Sequence, residues 1–405
     1  MRNWKRLLSG GYIATLFLLF LYSFTQVDLG LTLTRASVWQ APQHFFQHIG
    51  YFDRPLSTML YIVLLFLLFG FYLLFLFLAA KKGIDKKNVL KLVLVTAVLG
   101  AFSYNAFSYD LFNYIFDAKI ITHYQQNPYE HKALDYAGDP MLGFMHWTHR
   151  VYPYGPVWLF LTVPLSFIGF QFLLPTILLF KFLAAASYLG TVYFISKILR
   201  KISPDHELLG IIAFGLNPLV IIESLVSAHN DITMMFFAVL GVYLLVSKKY
   251  FLAFLGFAVA YGVKFATVAL PIHVHVAVLA ILAGAVFYLS RHRNIHMSWA
   301  RVFLALCAVM FFPVLFASLR TNFQPWYLLY LLPFAALVSD RYFVLIPMII
   351  LSFFALLQYV PFFYVGNWDP PIPAILNVLI ILSVVLSGVA ILLWNTLYAR
   401  RHRTS

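Results

Sequence analysis

An all-helical protein that crosses a membrane many times is what this sequence predicts, on three observations. Of its 405 residues, 62% are hydrophobic and only 10% are charged. A soluble domain averages about 45–50% apolar and about 25% charged residues, so lipid must be part of the solvent. The apolar residues fall in runs close to the ~20 that a helix needs to cross hydrocarbon. They are too long and uniform for barrel strands, the other structure that satisfies its backbone in lipid. Lys and Arg gather in short clusters between the runs, as in cytoplasmic loops. A soluble enzyme, a nucleic-acid-binding domain, a disordered chain and a disulfide scaffold are excluded. The net charge of +14 is therefore read as topology, not as a basic binding surface, and the single cysteine, Cys307, can form no intrachain disulfide.

The runs follow in order. Arg2, Lys5 and Arg6 precede the run 11–27 with no convincing cleavage site after it, which makes it an uncleaved first span. After a loop at 28–55 come spans at 56–80 and 89–108, then a loop at 109–154, the longest in the chain. Loops above about 15 residues are usually functional or disordered; this one is aromatic-rich and not of low complexity. Its start, from Leu111 to Ile121, has apolar residues at helical spacing and predicts an amphipathic helix on the outer leaflet. The apolar run 155–170, with Pro153, Pro156 and Pro164, reads as a re-entrant or surface-lying helix. Further spans are expected at 172–196, 207–225, 232–247, 250–271, 274–290, 300–319, 326–340, 342–363 and 372–395, twelve in all. No internal repeat or soluble domain is visible, so residues 1–405 read as one transmembrane unit.

Alternation from a cytoplasmic N-terminus puts 20 of the 28 basic residues inside, which orients the chain with both termini cytoplasmic. Of the fourteen acidic residues only Asp85, Asp205, Glu207 and Asp340 then fall inside. Carboxylates contribute little to topology, so the excess outside points to a site on the outer face.

Charged groups in or against hydrocarbon are expensive and are functional candidates by default. Asp110 ends the third run, and Asp117 lies seven residues on, about two helical turns, so the pair could share a face. Gln126-Asn127-Pro128-Tyr129 and Tyr152-Pro153-Tyr154-Gly155-Pro156 mark turns within and closing the loop. Glu223 and Ala228-His229-Asn230-Asp231 place four polar side chains within nine residues at a helix junction. Lys264 lies too deep in a run to reach water easily and calls for a carboxylate such as Glu223 or Asp231, or an anion. Arg320, Asn322 and Gln324 precede Trp326 and Tyr327, residues otherwise at home in the interfacial belt. His273 and His275 could ligate a metal but read more simply as structural. Carboxylates and aromatics suit a sugar and could deprotonate a hydroxyl; cations suit a phosphate. No nucleotide-binding Gly-rich loop is present.

The run from Asp110 to Ala118 through Asn127-Pro128-Tyr129 resembles the first outer loop of bacterial GT-C glycosyltransferases, especially the mannosyltransferase-like branch. Asn217-Pro218-Leu219 with Glu223 and His229-Asn230-Asp231, Lys264 ahead of Pro271, and Gln324-Pro325-Trp326-Tyr327 follow in the family's order. The resemblance covers roughly residues 100–335 and implies a GT-C-like fold and a polyprenyl-phosphate sugar as donor. It also implies inversion at the anomeric carbon, with Asp110 as catalytic base. Tyr109 stands where the family commonly has a second acidic residue, so a divalent metal stays open. Arg150, Lys264 or Arg320 would steady the leaving phosphate. Asp117, Asn127, Tyr129, Tyr154, Glu223, His229, Asn230, Asp231, Gln324, Trp326 and Tyr327 complete the expected binding set. The acceptor, whether glycan, glycolipid or protein, is not readable. The competing reading is a transporter or flippase.

Overall fold

The computed structural model describes residues 2–265, 272–292 and 298–403, and of these the side chains from 4 to 397. The end of the expected span 250–271, with Pro271, and Arg293 lie outside the described residues, as do the side chains of Arg2, Arg400, Arg401 and Arg403. The helices in chain order are α1 (Arg2–Ser23), α2 (Ser37–Gln47), α3 (Arg54–Ala80), α4 (Lys86–Phe102), α5 (Asp110–Thr122), α6 (Pro156–Ile168), α7 (Leu173–Ile202), α8 (Glu207–Gly215), α9 (Pro218–Ile221), α10 (Asp231–Val246), α11 (Tyr250–Lys264), α12 (Ile272–Arg291), α13 (Trp299–Thr321), α14 (Leu332–Ala336), α15 (Tyr342–Leu357), α16 (Tyr359–Val365) and α17 (Ile372–Arg403). Among the described residues there is no strand, only an isolated bridge between Lys132 and Val151.

Seven described helices are long and apolar enough to cross a bilayer, or eight if the bent pair 204–226 is one span. The protein is a multi-pass membrane protein. Five of the twelve expected spans do not appear as single full-length helices. The run 207–225 is the bent pair. The run 89–108 stops at Phe102, 232–247 is the 16-residue α10, and the described part of 250–271 is the 15-residue α11. The run 326–340 is a 3-10 turn followed by the five-residue α14. Pro325 and Pro333 sit at the starts of these two pieces, each withholding a backbone donor from a continuous helix.

α7 is the hub of the bundle, packing on α4, α5, α6, α8 and α10. Tyr188 of α7 and Tyr72 of α3 both donate to carbonyls of the α8 segment, at Gly215 and Ala213. At one end of the bundle Lys86 and Arg200 close on Glu207, at 2.5 and 3.1 Å, tying α4, α7 and α8 together. The other end carries Asp110 and the 222–230 turn. By contrast, α12, α13 and α17 bury little and expose residues such as Ile281, Phe312 and Val385, an apolar surface suited to lipid.

The expected helix at the start of the long loop forms, as α5, but it is not amphipathic. Leu111, Phe112, Tyr114, Ile115, Phe116, Asp117, Ala118 and Ile120 are all buried. The rest of the loop folds back over it, bringing Phe144 to Phe112 and Tyr136 to Phe116, while Trp158 of α6 meets Tyr114. A helix covered on several sides loses the water-facing stripe that periodicity implies. α6 is a 13-residue helix, short for a span, with Pro164 inside it. Its start meets α11 and its end meets Thr122.

Candidate functional site

Four distant stretches supply the site: the first turn of α5, the turn between α9 and α10, the end of α11, and the 3-10 segment Pro325–Tyr330. The second is the most irregular. Pro218 cannot donate to the preceding helix, and Asn217 caps the new one, accepting from Leu219 N at 2.9 Å and donating to Ser352 at 3.1 Å. The two helical pieces meet at 52°. Residues Ile222–Val226 then widen into a π-turn, a feature frequent at functional sites. Ala228 follows in the left-handed region at φ 56°, which is strained for a residue with a Cβ, and His229 N closes on Glu223 O at 3.1 Å. α4 can approach this turn because residue 100 is glycine; a Cβ there would lie 2.5 Å from that of Leu225.

The result is a line of ionisable groups. His229 Nδ1 lies 3.5 Å from Asp110 Oδ2, and its Nε2 lies 3.4 Å from Glu223 Oε2. Tyr359 donates to the other Glu223 oxygen at 2.9 Å, and the imidazole stacks on Trp326 at 4.2 Å between centroids. Glu223 and His229 are fully buried, whereas the Asp110 side chain is 17% exposed. Asp110 is thus the member of the line that a substrate can reach. Burial pushes the Asp110 carboxyl up, but the nearby His229 imidazole, with Lys264 and Arg150, leaves it below its ordinary value. Burial pulls the His229 imidazole down, and Asp110 and Glu223 outweigh it, holding it up at about 9. Asp117 goes the other way: burial, helped by the Asp110 charge, raises it well above the usual carboxylate range. The two carboxylates of α5 are thus shifted in opposite directions.

Beside this line, Lys264 Nζ pairs with Asp231 Oδ1 at 2.6 Å, with the Tyr154 and Tyr330 rings 5.8 and 5.7 Å from the ammonium. Gly155 brings α6 and Tyr154 against α11: its N–H donates to Val263 O at 3.2 Å, and a Cβ would stand 2.0 Å from the Gly262 carbonyl oxygen. Several buried polar atoms in these segments have no hydrogen-bond partner among the described residues: Asn113 Oδ1, Tyr114 OH, both Asn230 side-chain atoms, Asp231 Oδ2, and the Ser224 and Ser227 hydroxyls. Buried polar groups are rarely left so, and a hydroxyl-rich ligand would satisfy them.

Of the residues singled out in the sequence, the fold brings Asp110, Glu223, His229 and Trp326 into contact, and sets Asp231, Lys264 and Tyr154 beside one another. Tyr327 lies close enough to feel Asp231, Asp110 and Arg150, and its hydroxyl meets that of Thr321, the last residue of α13, at 3.1 Å. Arg150 is exposed and stacked on Trp147 at 4.3 Å, within electrostatic reach of Asp110. Three expected residues make local hydrogen bonds. Asn127 folds its own turn, accepting from Tyr129 N and donating to Glu130, as Asn does in Asx-turns. The Tyr129 hydroxyl donates to the Tyr154 carbonyl at 3.1 Å. Gln324 caps the 3-10 segment through its backbone. Arg320 is exposed in the last turn of α13 without an ion pair among the described residues. Tyr359, Tyr330 and Tyr114 were not expected; Gln358-Tyr359, a polar break inside an apolar run, was the one visible signal. His275 bonds to Tyr261 at 2.7 Å. Among the described residues no three His, Cys, Asp or Glu side chains are arranged to hold a metal ion.

A helical membrane protein with a buried carboxylate–imidazole line and unpaired hydrogen-bonding groups has the parts of a membrane-embedded transferase. The family is specific: the model of the alpha-(1->6)-mannopyranosyltransferase N-terminal domain matches residues 11–282. The chain belongs to that family of GT-C mannosyltransferases and is a membrane glycosyltransferase. The match spans Asp110, the 222–231 turn and Lys264, while the Gln324–Tyr327 stretch lies beyond it. No curated protein and no solved structure matches the chain.

Proposed function

We propose that the protein moves a mannosyl group from a polyprenyl-phosphate donor to an acceptor hydroxyl on the extracytoplasmic face, with Asp110 as general base. Asp110 takes the acceptor's proton as the acceptor oxygen attacks the anomeric carbon. The bond from that carbon to the phosphate oxygen breaks, the phosphate leaves on its lipid, and the anomeric configuration inverts. One observation carries this reading: Asp110 is an ionised, partly accessible carboxylate at the head of a buried helix, backed by a charged imidazole. Glu223 and His229 act behind Asp110, orienting it, rather than on the sugar. Asn230, Asp231 and Tyr154 face the sugar and acceptor, and Asp117 backs the same helix. Arg150 is the cation best placed for the leaving phosphate, because Lys264 is held by Asp231.

The lipid donor is supported by the membrane setting and by the lack of a Gly-rich nucleotide loop in the sequence. The outer face and cytoplasmic termini are supported by the 20-to-8 partition of basic residues that alternation of the expected spans produces, with the chain acting as one unit. The test supplies full-length protein in nanodiscs with polyprenyl-phosphate mannose or, separately, GDP-mannose, and an acceptor panel of free glycans, glycolipids and peptides. Mannosyl transfer from the lipid donor alone is expected. Transfer from the nucleotide alone, or no transfer from either, refutes the donor assignment.

A further inference from the structure

Lys181 is buried at the ninth position of the 30-residue α7, 1% exposed, with no carboxylate within ion-pair distance among the described residues. An ionisable group there is costly, and such residues usually have a use. Its ammonium donates to the carbonyl of Val226 at 2.9 Å. Val226 closes the π-turn that carries Glu223, and two residues later the chain passes through the strained Ala228 to His229.

We infer that Lys181 is a positioning residue for the transfer reaction: by capping Val226 it holds the left-handed turn that sets the His229 ring between Asp110 and Glu223. It touches neither the acceptor nor the donor. Without the cap, Ala228 would relax out of its disfavoured conformation and carry the ring off the carboxylates. The groups facing His229 are Asp110 from α5, Glu223 from its own turn and the Trp326 ring. Beyond them lie Tyr359, bonded to Glu223, and Asp231, paired with Lys264. None of these is altered in a Lys181 variant, so the titration of His229 reports the ring's position.

The inference rests on the proposed role of Asp110, but its first readout does not. In full-length protein in nanodiscs, the His229 imidazole is followed by nitrogen NMR as the signal missing from His229→Gln. It should titrate near 9 in the native chain and at least one pH unit lower in Lys181→Met, which keeps the length and loses the donor. Lys181→Gln, a shorter donor, should show a smaller fall in the same direction. In turnover, Lys181→Met should lose roughly ten- to hundredfold in kcat, the effect of leaving one buried carbonyl without its donor, with donor KM within about twofold. Adding Ala228→Gly, which frees the turn from its Cβ penalty, should recover severalfold of that loss. An unmoved His229 titration in Lys181→Met, with only lower thermal stability, overturns the inference. A protein that transfers no mannose from a lipid donor fails the functional reading, and the NMR titration still decides the role of Lys181.

Discussion

Replacing Asp110 by Asn tests the base directly and has two separable consequences. The amide keeps the size of the side chain but cannot accept a proton as a carboxylate does. General base catalysis contributes about 10²–10⁴ in rate, or about 3–5 kcal/mol of barrier, and that loss should fall on kcat. Donor affinity should change little, because Arg150 and the sugar-facing groups are untouched. The second consequence concerns His229. Its folded value lies above its unfolded one, so the stability it brings is complete below about pH 6.5 and is lost as pH rises through about 9. That difference is worth about 3 kcal/mol. Asp110 and Glu223 lie at nearly equal distances, 3.5 and 3.4 Å, and burial opposes the charge in full whether one anion or two remain, so removing one should forfeit more than half of it, roughly 2–3 kcal/mol. The assay is single-turnover transfer from labelled polyprenyl-phosphate mannose in nanodiscs, with donor binding and thermal unfolding measured from pH 6 to 10. A variant that turns over within threefold of the native rate removes Asp110 as base. An unfolding profile whose alkaline decline stays where it was removes the Asp110–His229 pairing.

Three other outcomes follow from the same geometry. Lys264→Met leaves Asp231 buried without its partner, which should lower stability by about 3–5 kcal/mol; Lys264→Met with Asp231→Asn should regain much of it, as thermal unfolding would show. Gly155→Ala drives a methyl into the Gly262 carbonyl, so α6 must move; a loss of about 1–3 kcal/mol and a sharp fall in transfer are expected. Arg150→Ala should lower kcat severalfold as well as raise the donor KM, because the leaving phosphate gains charge as the bond breaks, and the difference should shrink as salt rises, because this cation is exposed.

Much of the site was legible because its chemistry is conspicuous in an apolar chain. Glu223, His229 and Asp231 announce themselves by sheer rarity, and Lys264 demanded a carboxylate, which proves to be Asp231. Contacts between far-apart segments were not legible. Nothing in the spacing says that His229 bridges Asp110 and Glu223, or that its ring rests on Trp326, because those residues meet only after α5, the π-turn and the 3-10 segment have packed. The local role of Asn127 was not legible either: an Asn that folds its own turn looks the same in sequence as one that does not. The helix over 111–121 was readable, but its burial depends on the returning loop. The spans were legible as apolar runs, whereas the break at 326–340 is backbone chemistry set by Pro325 just before the run and Pro333 inside it.

The unpaired polar atoms near Asp110 bear on selectivity. A pocket that recognises a ligand by shape discriminates weakly, since one added or missing methylene is worth only about 1–3 kcal/mol. A pocket whose own buried groups await hydroxyls discriminates steeply, because an analogue lacking one leaves a protein group stranded as well. With Asn113, Tyr114, Asn230 and Asp231 each holding an unmatched atom, a deoxy sugar should be refused more firmly than a bulkier one is.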